Sequence, residues 1–497
     1  MQMKGNGFTM NGYTNEKARE YKEFLKGKRA TVIGAGISNI PLIGFLLDCG
    51  AAVTVRDKKD RDSLSATFPE MADYESRGVE FILGEGYLRD IDADIVYKSP
   101  GVRFDRPEIL TAYENGAYIT GEMEAFLSIC PAKIIAITGS NGKTTTSTLC
   151  AKLLEEAGHT VWLGGNIGTP LLSKIDEILP SHFVVVELSS FQLHTVNRFG
   201  NSGLPFSHIT FPDSAIVTNI SPNHLDWHTS MEEYTEAKRA VFEFMREGGR
   251  LVTNADCPIC AEFCENAEEK ELDTVLFSGN ASDKAGIFYR DGAIYRRLGR
   301  NEVKLLDTKD IIIPGLHNVE NYMAAYAAVE PYVTPDVLED VATTFKGVPY
   351  RFELCHEAGG VRFFDSSIDS SPSRTEAALN AVPDDKIKKV NIILGGYDKK
   401  IPFDTLGEPV CRVCRRAFIC GATAKSIERA IRDCGAYNPE NLEVVMCENF
   451  EDAVRSACRA ACEGEYVLLS PACASFDEFR NFEERGKRFK EIVREMN

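Results

Sequence analysis

Nowhere in the 497 residues do ~18 apolar side chains run together, so no membrane-spanning helix is expected. The first ~25 residues are polar and lack the apolar stretch of a secretory signal; they are expected to fray, in a cytoplasmic protein. Positive charge is scarce: 56 Lys and Arg face 74 Asp and Glu, a formal −18. Such a field repels nucleic-acid backbones and anionic lipid, which excludes both as main partners. A local basic pocket can still hold an anionic small molecule. Solenoid repeats and low-complexity tracts are also missing.

Cysteine is not scarce. Fifteen residues, an odd number, read as reduced thiols and not as a disulfide framework. Two CxxC pairs, Cys257/Cys260 and Cys411/Cys414, lie about 150 residues apart. A zinc ribbon places its pairs within ~20, so small buried hydrophobes are the expectation here. The length exceeds the ~250–300 residues at which one core stops growing, and several domains follow.

Buried-strand patterns followed by glycine-rich turns divide the chain. Ala30–Ile33 runs into Gly34-Ala35-Gly36, then into a periodic apolar stretch, Pro41–Leu47, and a second strand, Ala52–Asp57. Asp94–Tyr97 ends in Ser99-Pro100-Gly101. A second block opens with Lys133–Thr138 and a helix at Ser147–Ala157, and continues through Phe183–Glu187, Ser214–Asn219 and Arg250–Asn254. Short runs within 275–313 suggest an antiparallel insertion at its edge. The third block holds strands at Lys389–Leu394, Ala417–Cys420, Leu442–Met446 and Tyr466–Leu469. Alternating strands and helices indicate an α/β protein with doubly wound, mainly parallel sheets. The expected domains are 1–121, 122–347 and 348–497.

Chemistry concentrates at the strand ends. Gly139-Ser140-Asn141-Gly142-Lys143-Thr144-Thr145-Thr146 delivers a strand into a helix, so backbone N–H groups would face a phosphate. Lys143 would add a point charge and the Thr144 hydroxyl a magnesium ligand. The longer Walker pattern wants another glycine where Ile137 stands, so this is the short form. Glu187 ends a strand where a second magnesium-binding acid belongs, or else faces solvent. His224 and Asp226 follow another strand end, where a histidine is either a metal ligand or a structural residue. Nothing local distinguishes Lys238 from a solvated lysine. The Gly34/Gly36 loop with Asp57 fits a dinucleotide fingerprint, except that Asn39 occupies the third glycine position. A nucleotide diphosphate or an unliganded turn both fit it. Ser470–Asp477 opens a helix with small and hydroxyl residues suited to a carboxylate. Cys473 lacks a partner histidine in its block and is discounted as a nucleophile.

In this order the motifs resemble the Mur ligases, in the branch that adds glutamate. They are the glycine loop with Asp57, Ser99-Pro100-Gly101, Gly121–Phe126, the Gly139–Thr145 loop, Gly164–Gly168, Glu187–Leu193, Asn223–His228, Gly315–Asn318 and Leu469–Gly486. The resemblance implies three α/β domains, binding a UDP-linked substrate, ATP and an amino acid respectively. It implies ATP-dependent addition of D-glutamate to UDP-N-acetylmuramoyl-L-alanine through an acyl phosphate, in cell-wall precursor synthesis by a monomer. Lys143 would clamp phosphates. Thr144 with Glu187, and His224 with a carbamylated Lys238, would hold two magnesium ions. The Gly139–Thr145 loop, Asn318, Asn321 and Arg351 would bind ATP. Ile37, Ser38 and Asp57 would meet uridine, Asn166 and Ser189 the muramoyl-alanine part, and Asp365, Lys399, Ser475 and Phe482 the amino acid. One departure stands out: the DSKATN-like stretch of many glutamate-adding members reads Asp365-Ser366-Ser367-Ile368-Asp369, without the lysine. Arg374 or Lys399 would then answer the glutamate side chain. Another amino acid, a non-catalytic P-loop switch and an NAD-linked oxidoreductase are the competing readings.

Overall fold

A computed structural model describes residues 13–36, 38–166, 168–199, 212–225, 227–399 and 401–495. The described chain forms two compact units. One runs to Arg290 and adds Tyr295–Val303 and Asn321–Leu338; the other holds Asp291–Ile294, Lys304–Glu320 and the chain from Glu339.

The first unit opens with a five-stranded sheet in the order Glu80–Leu83, Ala52–Asp57, Arg29–Ile33, Ile95–Lys98, Tyr118–Thr120. Every pair is parallel. The order reverses at Arg29–Ile33, so the loop after it opens at a topological switch point, where ligands of such sheets bind. The helix Glu122–Ile129 follows; all of its residues except Ser128 are buried. It packs in one hydrophobic core with Val32 and Val55 of the first sheet and Ala136 and Val184 of the second.

The second sheet has nine strands. From one edge they are Asn301–Asp307, Ala293–Leu298, Ile287–Arg290, Asp273–Ser278, Arg250–Asn254, Ser214–Val217, Lys133–Thr138, Phe183–Glu187 and Val161–Gly165. Strands Lys133–Thr138, Phe183–Glu187 and Ser214–Val217 lie side by side in parallel. Their carboxyl ends therefore share one edge, and the polar motifs sit there.

The second unit carries a six-stranded sheet ordered Glu353–Ala358, Val361–Asp365, Tyr466–Leu469, Val390–Gly395, Cys414–Cys420, Glu443–Met446. Only its first pair is antiparallel. The last strand in sequence thus lies in the middle.

Two expectations change. The polar N-terminal stretch does not fray throughout: Glu16–Leu25 is a helix, capped by Asn15, whose side chain accepts from Ala18 N–H at 3.1 Å. Ala18, Tyr21 and Leu25 form its buried stripe, and the Tyr21 hydroxyl bonds that of Tyr97. The 275–313 region is not simply an antiparallel insertion, because Ile287–Arg290 extends the main sheet in parallel with Asp273–Ser278.

Candidate active site

The strand Lys133–Thr138 ends buried, and the chain turns through Gly139–Gly142 into the helix Lys143–Glu156. Glycine is required at 142: its φ is +81°, and a Cβ would lie 2.5 Å from Asn321 Oδ1. Asn321 does not project outward. Its amide oxygen accepts from Thr146 Oγ1 at 3.1 Å, packing it beneath the loop. The loop is also held from the next strand end. Ser140 N donates to Asn219 O at 2.8 Å and Asn141 N to Asn219 Oδ1 at 2.9 Å. Ser140 Oγ meets Ser221 O at 2.9 Å, Ser221 N at 2.9 Å and Tyr234 Oη at 2.8 Å. Ser140 thus fixes the loop's shape. Thr144 and Thr145 stand half-buried in the first helical turn.

Two lysines meet at the loop. Lys143 Nζ donates to the carbonyls of Gly139 and Ser140 at 3.0 and 3.1 Å. Lys238 Nζ donates to Gly139 O at 2.8 Å and to Thr138 Oγ1 at 3.3 Å. Lys238 is 1 % exposed, so the solvated lysine allowed by its sequence context is overturned. Burial, with help from the charge of Lys143, lowers its pKa well below the usual lysine range against the pull of Glu187. Tyr234 lies one turn earlier on the same helix and carries the Lys238 ammonium 4.8 Å over its ring.

Glu187 does not face solvent either. It is buried, one oxygen accepts from Asn166 Nδ2 at 2.8 Å, and the other has no hydrogen-bond partner among the described residues. A buried carboxylate oxygen left unpaired at a phosphate loop fits a divalent cation. Asn166 therefore orients Glu187, and Ser189 caps the next helix through Gln192, whose Oε1 accepts from its N–H and its hydroxyl at 2.9 Å each. His224 adopts φ +54° and lies tilted against the Phe191 ring, 4.9 Å between centroids. Asp226, like Ile37, lies outside the described residues.

At the first sheet, Asp57 holds the glycine loop: its carboxylate accepts from Ala35 N and Lys59 N, both at 2.8 Å. Asn39 supplies by hydrogen bonding what a third glycine would supply by size. Its buried amide donates to Gly34 O at 2.7 Å and Ser99 Oγ at 3.2 Å. Ser38 precedes that helix at the rim of a cavity of about 30 Å³, which Lys98, Glu122, Glu124 and Gln192 also line. Burial lowers the Lys98 pKa and raises that of Glu124, each restrained by the other. Burial also pushes Glu122 up to about 7, although it accepts from Leu172 N at 3.0 Å.

A network that the sequence reading missed joins these loops. Arg103 donates to Trp227 O at 2.6 Å and to Glu233 at 2.9 Å, while Trp227 Nε1 donates to Gly101 O at 3.0 Å. Glu233 also meets His194 at 3.0 Å and accepts from Thr229 N at 2.6 Å. Although burial opposes it, these partners hold Glu233 well below the usual carboxylate range, Arg103 foremost. Burial lowers the His228 ring to about 4, where it meets Ser190 Oγ at 2.9 Å.

In the second unit, Asp365 is fully buried 3.3 Å from Lys490 and accepts from Ser367 N at 2.9 Å. Asp369 instead binds Ser470 Oγ at 2.8 Å, and burial lifts it to about 6 against the charges of Arg351 and Arg374. Lys399 reaches Ser370 Oγ at 3.2 Å, and Arg374 reaches Ile368 O at 3.0 Å, so both cations border the lysine-less stretch. Asn318 donates to Pro314 O at 2.6 Å. Ser475 is buried, and Phe482 stands edge-on to Tyr350 at 5.9 Å. Arg485, unflagged by the sequence, is buried and donates to the carbonyls of Ser367, Cys473 and Ala474 at 2.9–3.1 Å.

Three family profiles match: the Mur ligase MurD-like N-terminal domain over 28–121, the Mur ligase middle domain over 137–329, and the Mur ligase glutamate ligase domain over 350–473. The UDP-N-acetylmuramoylalanine--D-glutamate ligase of Acetivibrio thermocellus is 46% identical, over 96% of this chain and 99% of its own. The enzyme of that name from Ruminiclostridium cellulolyticum is 43% identical, over 97% and 100%. Among solved structures, a UDP-N-acetylmuramate-alanine ligase from Thermotoga maritima covers 95% of the chain and 100% of its own, with TM-score 0.55 and 17% identity. A UDP-N-acetylmuramoyl-L-alanyl-D-glutamate--2,6-diaminopimelate ligase covers 90% and 93%, with TM-score 0.56 and 15% identity. These two likenesses speak for the fold.

Proposed function

We propose that this chain, which belongs to the Mur ligase family, joins D-glutamate to UDP-N-acetylmuramoyl-L-alanine at the expense of ATP, in cytoplasmic peptidoglycan precursor synthesis. The substrate carboxylate attacks the γ-phosphate, ADP leaves, and the amino group of D-glutamate displaces phosphate from the acyl phosphate. The observation that carries this reading is the meeting of Lys143, Lys238 and Glu187 at the Gly139–Gly142 loop.

Each residue has a task. Lys143 exchanges its bonds to loop carbonyls for phosphate oxygens and balances charge as it moves from the γ-phosphate to ADP. Lys238, favoured as a neutral amine by burial, adds carbon dioxide and releases a proton, becoming an anionic carbamate. Thr144, Glu187, His224 and the carbamate of Lys238 would hold two magnesium ions, which supply positive charge beside the phosphates. The unpaired Glu187 oxygen supports this role. The Gly139–Thr145 loop, Asn318 and Arg351 bind ATP, with Asn321 bracing the loop from below. Ser38 and Asp57 serve the uridine end, with Ser189 and Asn166 beside the muramoyl-alanine part. Lys399, Arg374, Ser475 and Phe482 receive D-glutamate, while Asp365 acts from inside through Lys490. The working division is 1–121 for the UDP substrate, 122–347 for ATP and 348–497 for the amino acid.

ADP release from the purified protein, supplied with the UDP substrate, ATP, magnesium and one amino acid at a time, tests the reading. Amide product with D-glutamate alone is expected. Product with another amino acid only would move the specificity, and no amide with any would overturn the ligase reading.

A further inference from the structure

We propose that Cys257 and Cys260 form a reversible dithiol–disulfide site that acts on the nucleotide loop. Its oxidant is a hydroperoxide or a low-molecular-weight disulfide. The pair belongs to Cys257-Pro258-Ile259-Cys260, one of the motifs that the ligase reading leaves unused. Cys257 occupies the position just before the eleven-residue helix Pro258–Glu268 and is half-buried beside exposed Pro258, whereas Cys260 is fully buried one turn in. The two thiols stand one helical turn apart, close enough for each to shift the other's ionisation. This spacing across one helical turn suits a disulfide.

The sulfur also touches functional structure. Ile220 N–H donates to Cys257 Sγ at 3.4 Å. Ile220 stands between Asn219, which binds the N–H groups of Ser140 and Asn141, and Ser221, which binds the Ser140 hydroxyl on both sides. Cys257 therefore supports the two residues that clamp the phosphate loop. The same contacts favour its thiolate. The Cys260 S–H, then the N–H groups of Ile220, Cys260 and Ile259, push it down to about 6 against burial, while the Cys260 thiol moves up. Elsewhere burial raises thiols, Cys130 to about 12 and Cys473 to about 11. Cys257 is thus the nucleophile and Cys260 the resolving thiol.

With a hydroperoxide, the Cys257 thiolate attacks the peroxide oxygen and the O–O bond breaks. This leaves a sulfenic acid at Cys257 and an alkoxide that takes a proton to become an alcohol. Cys260 sulfur then attacks Cys257 sulfur and the S–O bond breaks. The hydroxide takes the Cys260 proton and leaves as water. Two thiols are oxidised to one disulfide and one hydroperoxide is reduced. Ile220 N–H loses a thiolate acceptor in the process, and the 219–221 clamp loosens.

The consequence for nucleotide rests on the reading that the loop binds ATP, so the test has readouts that do not. The full-length protein is treated with hydrogen peroxide, then with oxidised glutathione. Remaining thiols are alkylated and the peptides mapped. Hydrogen exchange is followed across 218–223, and binding of a fluorescent ATP analogue is measured. We expect the 257–260 peptide to lose two hydrogens before the other cysteines react, and exchange at 218–223 to quicken. The analogue's Kd should rise about fivefold, the low end of usual coupling between sites. Dithiothreitol should reverse all three, and Cys257→Ser, which removes the nucleophile, should prevent them. Cys257 and Cys260 still alkylating after other thiols are consumed would overturn the proposal, as would a mapped disulfide with unchanged exchange at 218–223. Reduced protein that does not bind the analogue would sink the ATP reading instead, leaving mapping and exchange to decide this one.

Discussion

Lys143 and Lys238 both place an amine on the carbonyl of Gly139, yet they differ in kind. Lys143 stands half-buried at a helix start; Lys238 is sealed in, where burial disfavours its charge. Lys143→Ala should therefore abolish ADP release at any ATP concentration, whereas Lys238→Ala should become sensitive to magnesium. Turnover within about tenfold of the unaltered protein in the Lys143 variant, a loss smaller than ~1.4 kcal/mol, would refute its assigned role. Asp57→Ala should raise the KM for the UDP substrate, because it frees the N–H groups of Ala35 and Lys59 and lets the glycine loop relax. An unchanged KM would place uridine elsewhere.

At the scale of elements, the helix Glu122–Ile129 carries two acids into a shared core. Glu122 is raised by burial to about 7 from a glutamate's ordinary 4.5. Its favourable contribution is therefore complete below about 4.5 and is lost as pH rises through about 7. Glu122→Gln should stabilise the protein at pH 8, by up to about 3 kcal/mol, and leave it nearly unchanged at pH 4.5. Thermal melts at the two pH values decide it; an equal shift at both would deny the burial effect. Arg103→Ala removes the chief cation beside Glu233 and should cost about 3 kcal/mol, since a carboxylate loses its partner. The signals for these elements were unequal. Strands with continuous apolar runs, such as Phe183–Val186, were legible because a central parallel strand is buried on both faces. The hairpin Glu353–Ala358 and Val361–Asp365 was overlooked, although Gly359-Gly360 at φ +56° and +72° marks its turn. Arg103, Glu233 and Arg485 could not be singled out, because a charged residue shows its partner only once distant loops are brought together.

Across the whole molecule, each unit has its own hydrophobic cores, built around Val32, Ala136 and Val184 in one and Ile392, Leu468 and Val467 in the other. Calorimetry should therefore resolve two transitions, with the ATP analogue and magnesium raising the one that belongs to the Gly139–Gly142 loop. The motif order pointed to three α/β domains, which the three matching profiles bear out; the sites' inner bracing, as at Asn39 and Asn321, needed coordinates. The order of strands also bears on synthesis. The first sheet is complete once residue 120 has left the ribosome, since its five strands are contiguous in sequence. The last sheet waits. Its central strand, Tyr466–Leu469, is the last of the six to be made, so Val361–Asp365 and Val390–Gly395 must stay apart with a gap between them until residue 469 has emerged. A message cut short before codon 466 would thus delete the middle of a sheet and leave two apolar strand edges exposed, a product for proteases and not a shortened enzyme.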